Sequence, residues 1–213
     1  MIVTLLYSTF EEKWGDNSFS EYLRFVPSVF QNKILKFKKW QDAQASLLGK
    51  LLVNEGLQSL SCEHTLNDII HSQFQRPYIP RSGIEFNISH SGDLVICAIG
   101  KCSNLGVDVE EVLPLEIDDY RDVFRNDEWA SIQIDRGNYD RFYDYWTKKE
   151  AVGKAYGTGL MIPAQEILIQ EKTAQVRGKA FYLKAVELLP RYKITVASDL
   201  PIQKVEIIQK RFT

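Results

Sequence analysis

Apolar residues along this chain change their period several times, and each change marks an element. Ile2–Tyr7, β-branched and aromatic, reads as a short opening strand. Ser20–Val26 and Ser28–Phe37 read as short helices parted by Pro27, which a helix accepts at its start but not in its interior. Trp40–Leu60 has the clearest helical beat, with Ala43, Leu47, Leu51 and Leu57 on one side, so that side belongs in a core. A less regular stretch runs to Ser82 and holds Arg76-Pro77, where proline pushes the preceding residue into an extended or turn conformation. Ile84–Ile88 and Leu94–Ile99 are apolar runs joined by Ser89, His90, Ser91, Gly92 and Asp93, the pattern of a hairpin.

Gly100–Asn104 then turns the chain into Leu105–Glu110, predicted as a strand beside Leu94–Ile99. Asp122–Ile134 and Tyr139–Tyr156 take helical spacing, and Gly157, Gly159 and Pro163 end the second helix. Beyond Gln165 the period falls to two: Ile167–Gln170, Ala180–Glu187, Tyr192–Ala197 and Val205–Gln209 predict an antiparallel meander. Helices precede strands twice, which makes the fold α+β with two similar sub-domains, each an antiparallel sheet packed with helices. The division falls between residues 1–104 and 105–213.

Composition narrows the class. The chain is 213 residues long and 45% apolar, enough for a sizeable core. No apolar run reaches the ~18 residues of a membrane span, and Met1–Phe10 lacks the basic flank and cleavage pattern of a signal peptide, so a cytoplasmic protein with no membrane partner is expected. Three cysteines, Cys62, Cys97 and Cys102, show no C-x-x-C spacing and read as reduced packing residues. His64, His71 and His90 lack the spacing of a histidine metal site. A net charge of −2 gives no reason to expect a nucleic acid. The charge is uneven, however: Asp108–Asp122 holds seven acids against one base, while Lys33, Lys36, Lys38 and Lys39 cluster earlier. An acidic and a basic site side by side suit a phosphate ester bridged by a metal, and equally two solvated surfaces.

Two stretches carry candidate chemistry. In Leu105–Glu110, strand alternation puts Val107 and Val109 on one face and Asp108 and Glu110 on the other, with Cα atoms about 6.6–6.8 Å apart. Such a pair can share a hard, oxygen-loving cation, and an edge strand with two solvated acids has the same pattern. In the helix over Tyr139–Tyr156, Trp146, Glu150, Gly153, Lys154 and Gly157 share one face. Gly153 costs about 1 kcal/mol relative to alanine inside a helix, which points to a close approach there. A surface Glu150–Lys154 pair over a core tryptophan reads the same way. The polar turn Ser89–Asp93 offers hydroxyls, backbone N–H groups and one imidazole, a combination suited to phosphate.

Taken together, Asn87-Ile-Ser-His-Ser-Gly92, Gly106-Val-Asp-Val-Glu110, Trp146-x-x-Lys-Glu150-x-x-x-Lys154 and Gly157-x-Gly159 resemble the Sfp-type 4′-phosphopantetheinyl transferases, from about Lys33 to Pro163. The resemblance implies a pseudo-dimer of two α+β halves with coenzyme A between them, acting as a monomer. It implies a transferase that moves phosphopantetheine from coenzyme A to a serine of an acyl or peptidyl carrier protein, releasing adenosine 3′,5′-bisphosphate. On the matching positions, Asp108, Glu110 and Glu150 are implied to hold Mg²⁺ against the pyrophosphate. Lys154 reaches the α-phosphate, and Glu150 is the candidate base. Ser89 and His90 contact phosphate, His90 and Lys33 and Ser46 at the 3′-phosphate, and Gln75-Arg76-Pro77 passes the adenine. Two departures stand out: Phe30 replaces a second basic residue, for which Lys36 or Arg24 are the substitutes on offer, and Gln75 replaces a glycine. Phe124 and Trp129 are the apolar residues nominated to receive the carrier. The competing readings are a non-catalytic coenzyme A- or carrier-binding module on this fold, and another Mg²⁺-dependent enzyme acting on a nucleotide pyrophosphate.

Overall fold

The computed structural model describes residues 1–134, 137, 139–158 and 162–212. Gly159, expected to help end a helix, lies outside them. The strands are β1 (Ile2–Thr9), β2 (Ile70–His71), β3 (Pro77–Tyr78), β4 (Glu85–Ser91), β5 (Leu94–Gly100), β6 (Leu105–Glu111), β7 (Leu168–Ile169), β8 (Thr173–Val176), β9 (Lys179–Ala185), β10 (Tyr192–Ser198) and β11 (Lys204–Gln209). The α-helices are α1 (Asp16–Leu23), α2 (Ser28–Ile34), α3 (Trp40–Ser59), α4 (Asn126–Ile134) and α5 (Asp140–Tyr156). No helix among the described residues is long and apolar enough to cross a membrane.

The architecture is α+β, as the alternation of helical and strand-like periods implies. One sheet has the order β11-β1-β5-β4 and the other β6-β10-β9-β8-β7. Helix α3 covers the first sheet, where Leu47, Leu48, Leu51 and Leu52 meet Leu6, Val95, Cys97 and Ile99. Helix α5 covers the second, where Ala151, Val152 and Ala155 meet Phe181, Leu183 and Ala197. The uncovered faces press together: Val3, Leu5, Leu94, Ile96 and Ala98 pack with Leu105, Val107, Val109, Ile194 and Val196. Burying one such aliphatic side chain is worth about 2 kcal/mol. Central strands β1 and β5 are buried on both faces, which is why their sequences are near-continuous apolar runs rather than alternating ones.

Three sequence expectations change. The hairpin turn is only Gly92 and Asp93, with Gly92 in the left-handed region at φ +55°, so Ser89, His90 and Ser91 are strand residues on alternate faces rather than one cluster. Strand β6 pairs with β10, not with β5. And β11 leaves the meander to pair parallel with β1, Leu5 opposite Ile207, filling that strand's open edge. Strand polarity does not encode which sheet receives a strand, so the sequence held no signal for this crossover. The short, mixed-polarity β8 was missed for want of length.

The helix–strand approach expected at Gly153 is set on the strand side. A Cβ on Gly106 would overlap the Ala151 carbonyl oxygen and the Ala155 amide nitrogen of α5. Gly106 therefore fixes how deeply α5 lies on β6. Because both obstructing atoms are backbone, no rotamer relieves the overlap, and Gly106→Ala is expected to lower stability by about 3 kcal/mol, read from urea unfolding against the parent chain.

Candidate functional site

Strand β6 has one edge paired with β10 and the other facing β4, and its free backbone groups are met there by side chains. Asn87 Oδ1 accepts from the Val107 amide at 2.9 Å, Ser89 Oγ from Val109 at 3.4 Å, and Ser91 Oγ from Glu111 at 3.1 Å. The same hydroxyls donate onward to the acids: Ser89 to Asp108 Oδ1 at 3.0 Å, Ser91 to Glu110 Oε2 at 2.9 Å. Asn87, Ser89 and Ser91 thus close the edge of β6, and the two serines also orient a carboxylate. Asn87 had been given no role from sequence, and Ser91 only a share in a phosphate-binding turn; the seam they make was not foreseen. Their period-two spacing, polar at 87, 89 and 91 with Phe86 and Ile88 on the opposite face, is the signal that identifies them.

Helix α5 supplies the facing wall. Lys154 Nζ donates to Asp108 Oδ1 at 2.6 Å, Ser89 Oγ at 2.9 Å and the Val107 carbonyl at 3.2 Å. One turn earlier lies Glu150, and one turn before that the Trp146 indole donates to Glu110 Oε1 at 3.3 Å. All three acids have pKa values above the ordinary carboxylate range. Burial is the first cause in each, and for Glu110 and Glu150 the Asp108 charge is the second. Lys154 and the hydrogen bonds of Ser89, Ser91 and Trp146 pull the other way. Asp108 is only 3% exposed, and its Oδ2 is buried without a hydrogen-bond partner among the described residues. The Glu150 carboxylate has neither hydrogen bond nor ion pair among them.

Asp108, Glu110, Glu150, Lys154 and Ser89 are therefore gathered in one place, and the other predicted residues are not. His90 faces the α3 side. Surrounding protein and then the Lys154 charge hold its pKa below the usual histidine value, against the pull of Asp42. Ser46 lies one helical turn beyond Asp42 on α3, and Lys33 is exposed on α2. Arg76 ties the halves together: it pairs with Glu85, and its guanidinium donates to the Leu105 and Ala155 carbonyls, both at 3.2 Å. Its neighbour Gln75 has φ +63°, so the left-handed turn that glycine adopts freely is kept here with a side chain attached. Phe124 is fully buried, stacked on Trp129, and cannot receive a partner. Its core position follows from the aromatic cluster with Phe142, which spacing alone did not show.

Among the described residues no three His, Cys, Asp or Glu side chains form a ready-made metal cage. The donor set nonetheless fits a hard divalent cation. Burial raises the proton affinity of all three carboxylates, the Asp108 charge adds to it at Glu110 and Glu150, and Asp108 carries an oxygen without a partner among the described residues, a combination that a positive charge relieves.

Residues 104–199 match the model of the 4′-phosphopantetheinyl transferase superfamily, and residues 13–102 match that of the 4′-phosphopantetheinyl transferase N-terminal region. The chain is 29% identical over 192 residues to 4′-phosphopantetheinyl transferase Sfp of Bacillus subtilis, covering 84% of this chain and 85% of that one. It is 30% identical over 192 residues to the transferase gsp of Aneurinibacillus migulanus, covering 83% and 80%. With ffp of Bacillus subtilis the identity is 30% over 194 residues, covering 84% of each. On these matches the chain belongs to the 4′-phosphopantetheinyl transferase superfamily and is a transferase.

Proposed function

We propose that this chain moves 4′-phosphopantetheine from coenzyme A to a serine of an acyl or peptidyl carrier protein through the acids of β6 and α5. The observation that carries the reading is the convergence of Asp108, Glu110 and Glu150 with Lys154 at one seam, where a pyrophosphate needs both a cation and a proton donor. The serine oxygen forms a bond to the phosphorus bearing pantetheine, the bond from that phosphorus to the bridging oxygen breaks, and adenosine 3′,5′-bisphosphate leaves. Asp108, Glu110 and Glu150 would hold Mg²⁺, which when bound supplies charge neutralisation for the pyrophosphate oxygens.

The chain's own groups do the rest. Ser89 and Ser91 fix the two strand carboxylates through hydroxyls that the β6 backbone already holds. In the ligand-free chain Glu150 has no hydrogen-bond partner among the described residues and a raised proton affinity, and it is the candidate to take the proton of the carrier serine, directly or through water. In the ligand-free chain the Lys154 ammonium is the counter-charge of Asp108. Once Asp108 has another, Lys154 is free to meet the leaving phosphate oxygen and steady or protonate it.

Two results follow. Carrier protein incubated with the chain, coenzyme A and Mg²⁺ is expected to gain the phosphopantetheine mass by intact-mass spectrometry. Chelation stops the gain, and Asp108→Ala slows it on the order of a hundredfold. Coenzyme A consumed with no carrier present points instead to a pyrophosphate hydrolase, and binding without turnover to a non-catalytic module. The second result concerns stability. Glu150's folded pKa lies above its unfolded one, so its stabilising contribution is full below the unfolded value and is lost as pH rises through the folded one. Glu150→Gln is therefore expected to raise the stability of the chelator-treated protein by about 1 kcal/mol near neutral pH, fading as the solution is acidified, while transfer is lost. A pH-independent difference in thermal denaturation argues against the carboxylate crowding described above.

A further inference from the structure

Phe30, which stands where a basic residue was expected, is a core ring only 2% exposed, and it is the floor of a second cationic cluster. The Lys50 ammonium lies 5.4 Å from the centroid of its ring, and the His71 ring centroid is 6.2 Å from the same point. Lys33, one turn along α2 from Phe30, completes the group: its charge acts on both Lys50 and His71, and Lys50 acts on His71 in turn. Three basic side chains from α2, α3 and β2 thus converge.

Among the described residues no carboxylate charge is a cause of the shift at Lys50 or His71. Among the described residues neither Lys33 nor Lys50 has a hydrogen bond or an ion pair. The one acidic group acting on Lys50 is the Cys97 thiol, and burial pushes that thiol up to about 12, so it stays neutral and supplies no counter-charge. Burial lowers the proton affinity of Lys50, with Lys33 adding to the effect. An ammonium set into a fold without a carboxylate leaves a place for an external anion. The location agrees. Asp42, Ser46 and Lys50 follow one another at intervals of four along a single face of α3, and His90 senses Asp42 at the other end of that row.

We infer that Lys50, together with Lys33 and His71, forms an anion subsite for a phosphate monoester, Lys50 supplying the cation that Phe30 displaced. Lys36 and Arg24, the substitutes suggested by sequence, are exposed, and neither is among the charges acting on Lys50 or His71. The inference rests on the reading that coenzyme A binds with its 3′-phosphate toward Lys33, Ser46 and His90. Lysine at position 50 reaches the same phosphate from α3, over the aromatic ring rather than from α2.

The test is calorimetric titration of the full chain with adenosine 3′,5′-bisphosphate and, separately, adenosine 5′-monophosphate, with unfolding curves confirming that each variant is folded. The parent chain is expected to prefer the bisphosphate, and Lys50→Gln to reduce that preference about tenfold, as loss of one charge-assisted contact does. Lys50→Arg should keep most of it. If Lys50→Gln retains the full preference, the assignment of Lys50 is overturned and the placement of coenzyme A stands. If the parent chain itself shows no preference, the placement of the 3′-phosphate falls, and the subsite with it.

Discussion

The structure depends on one seam, where polar side chains of β4 close the open edge of β6. A strand edge left bare presents unpaired N–H groups, and burying these costs free energy comparable to a lost hydrogen bond for each. Here Asn87, Ser89 and Ser91 accept from the three amides on that edge, Val107, Val109 and Glu111. The two sheets are joined without merging into one. The line of the join stays wide enough for side chains rather than a hydrogen-bonded ladder, and the carboxylates of Asp108 and Glu110 emerge beside it.

That seam also explains the electrostatics. Carboxylates held close together by hydroxyls and an indole, on a strand pinned at Gly106, cannot move apart to relieve their repulsion. The fold therefore gathers unfavourable charge at the seam, and Lys154 partly neutralises it. Stability and activity are opposed at these positions. Arg76, spanning Glu85, Leu105 and Ala155, holds the far end of the same join, which gives its side chain a role in assembly separate from any contact with nucleotide.

Much of this was legible in the sequence, for identifiable reasons. The alternation in Leu105–Glu110 placed both acids on one face, and the helical spacing of Trp146, Glu150 and Lys154 placed those three on another, because each pattern is set by local geometry alone; that the two faces meet was implied only by the family resemblance. The α+β class followed from the order of periods. What was not legible depended on tertiary choices. The pairing of β6 with β10, the crossover of β11, and the burial of Phe124 are decided by which surfaces meet, not by the residues of those segments. The hairpin turn was placed three residues too early because serine and histidine look like turn residues. In this fold they are strand residues with polar duties at a seam. Lys50 was unread for a similar reason: on a helix whose apolar side is flanked by polar residues, a lysine looks like one more solvated side chain, and the neighbouring Lys33 and His71 come together with it only in the folded chain.

The central claim is that the seam gathers Asp108, Glu110 and Glu150 around one divalent cation, with Lys154 released from Asp108 when it arrives. Anomalous diffraction from crystals grown with Mn²⁺ and coenzyme A tests it most directly. The account predicts a single peak bonded to oxygens of all three acids and of the pyrophosphate, with the Lys154 ammonium turned toward phosphate. A cation bound elsewhere, or one that leaves the Glu150 carboxylate untouched and Lys154 still paired to Asp108, contradicts it.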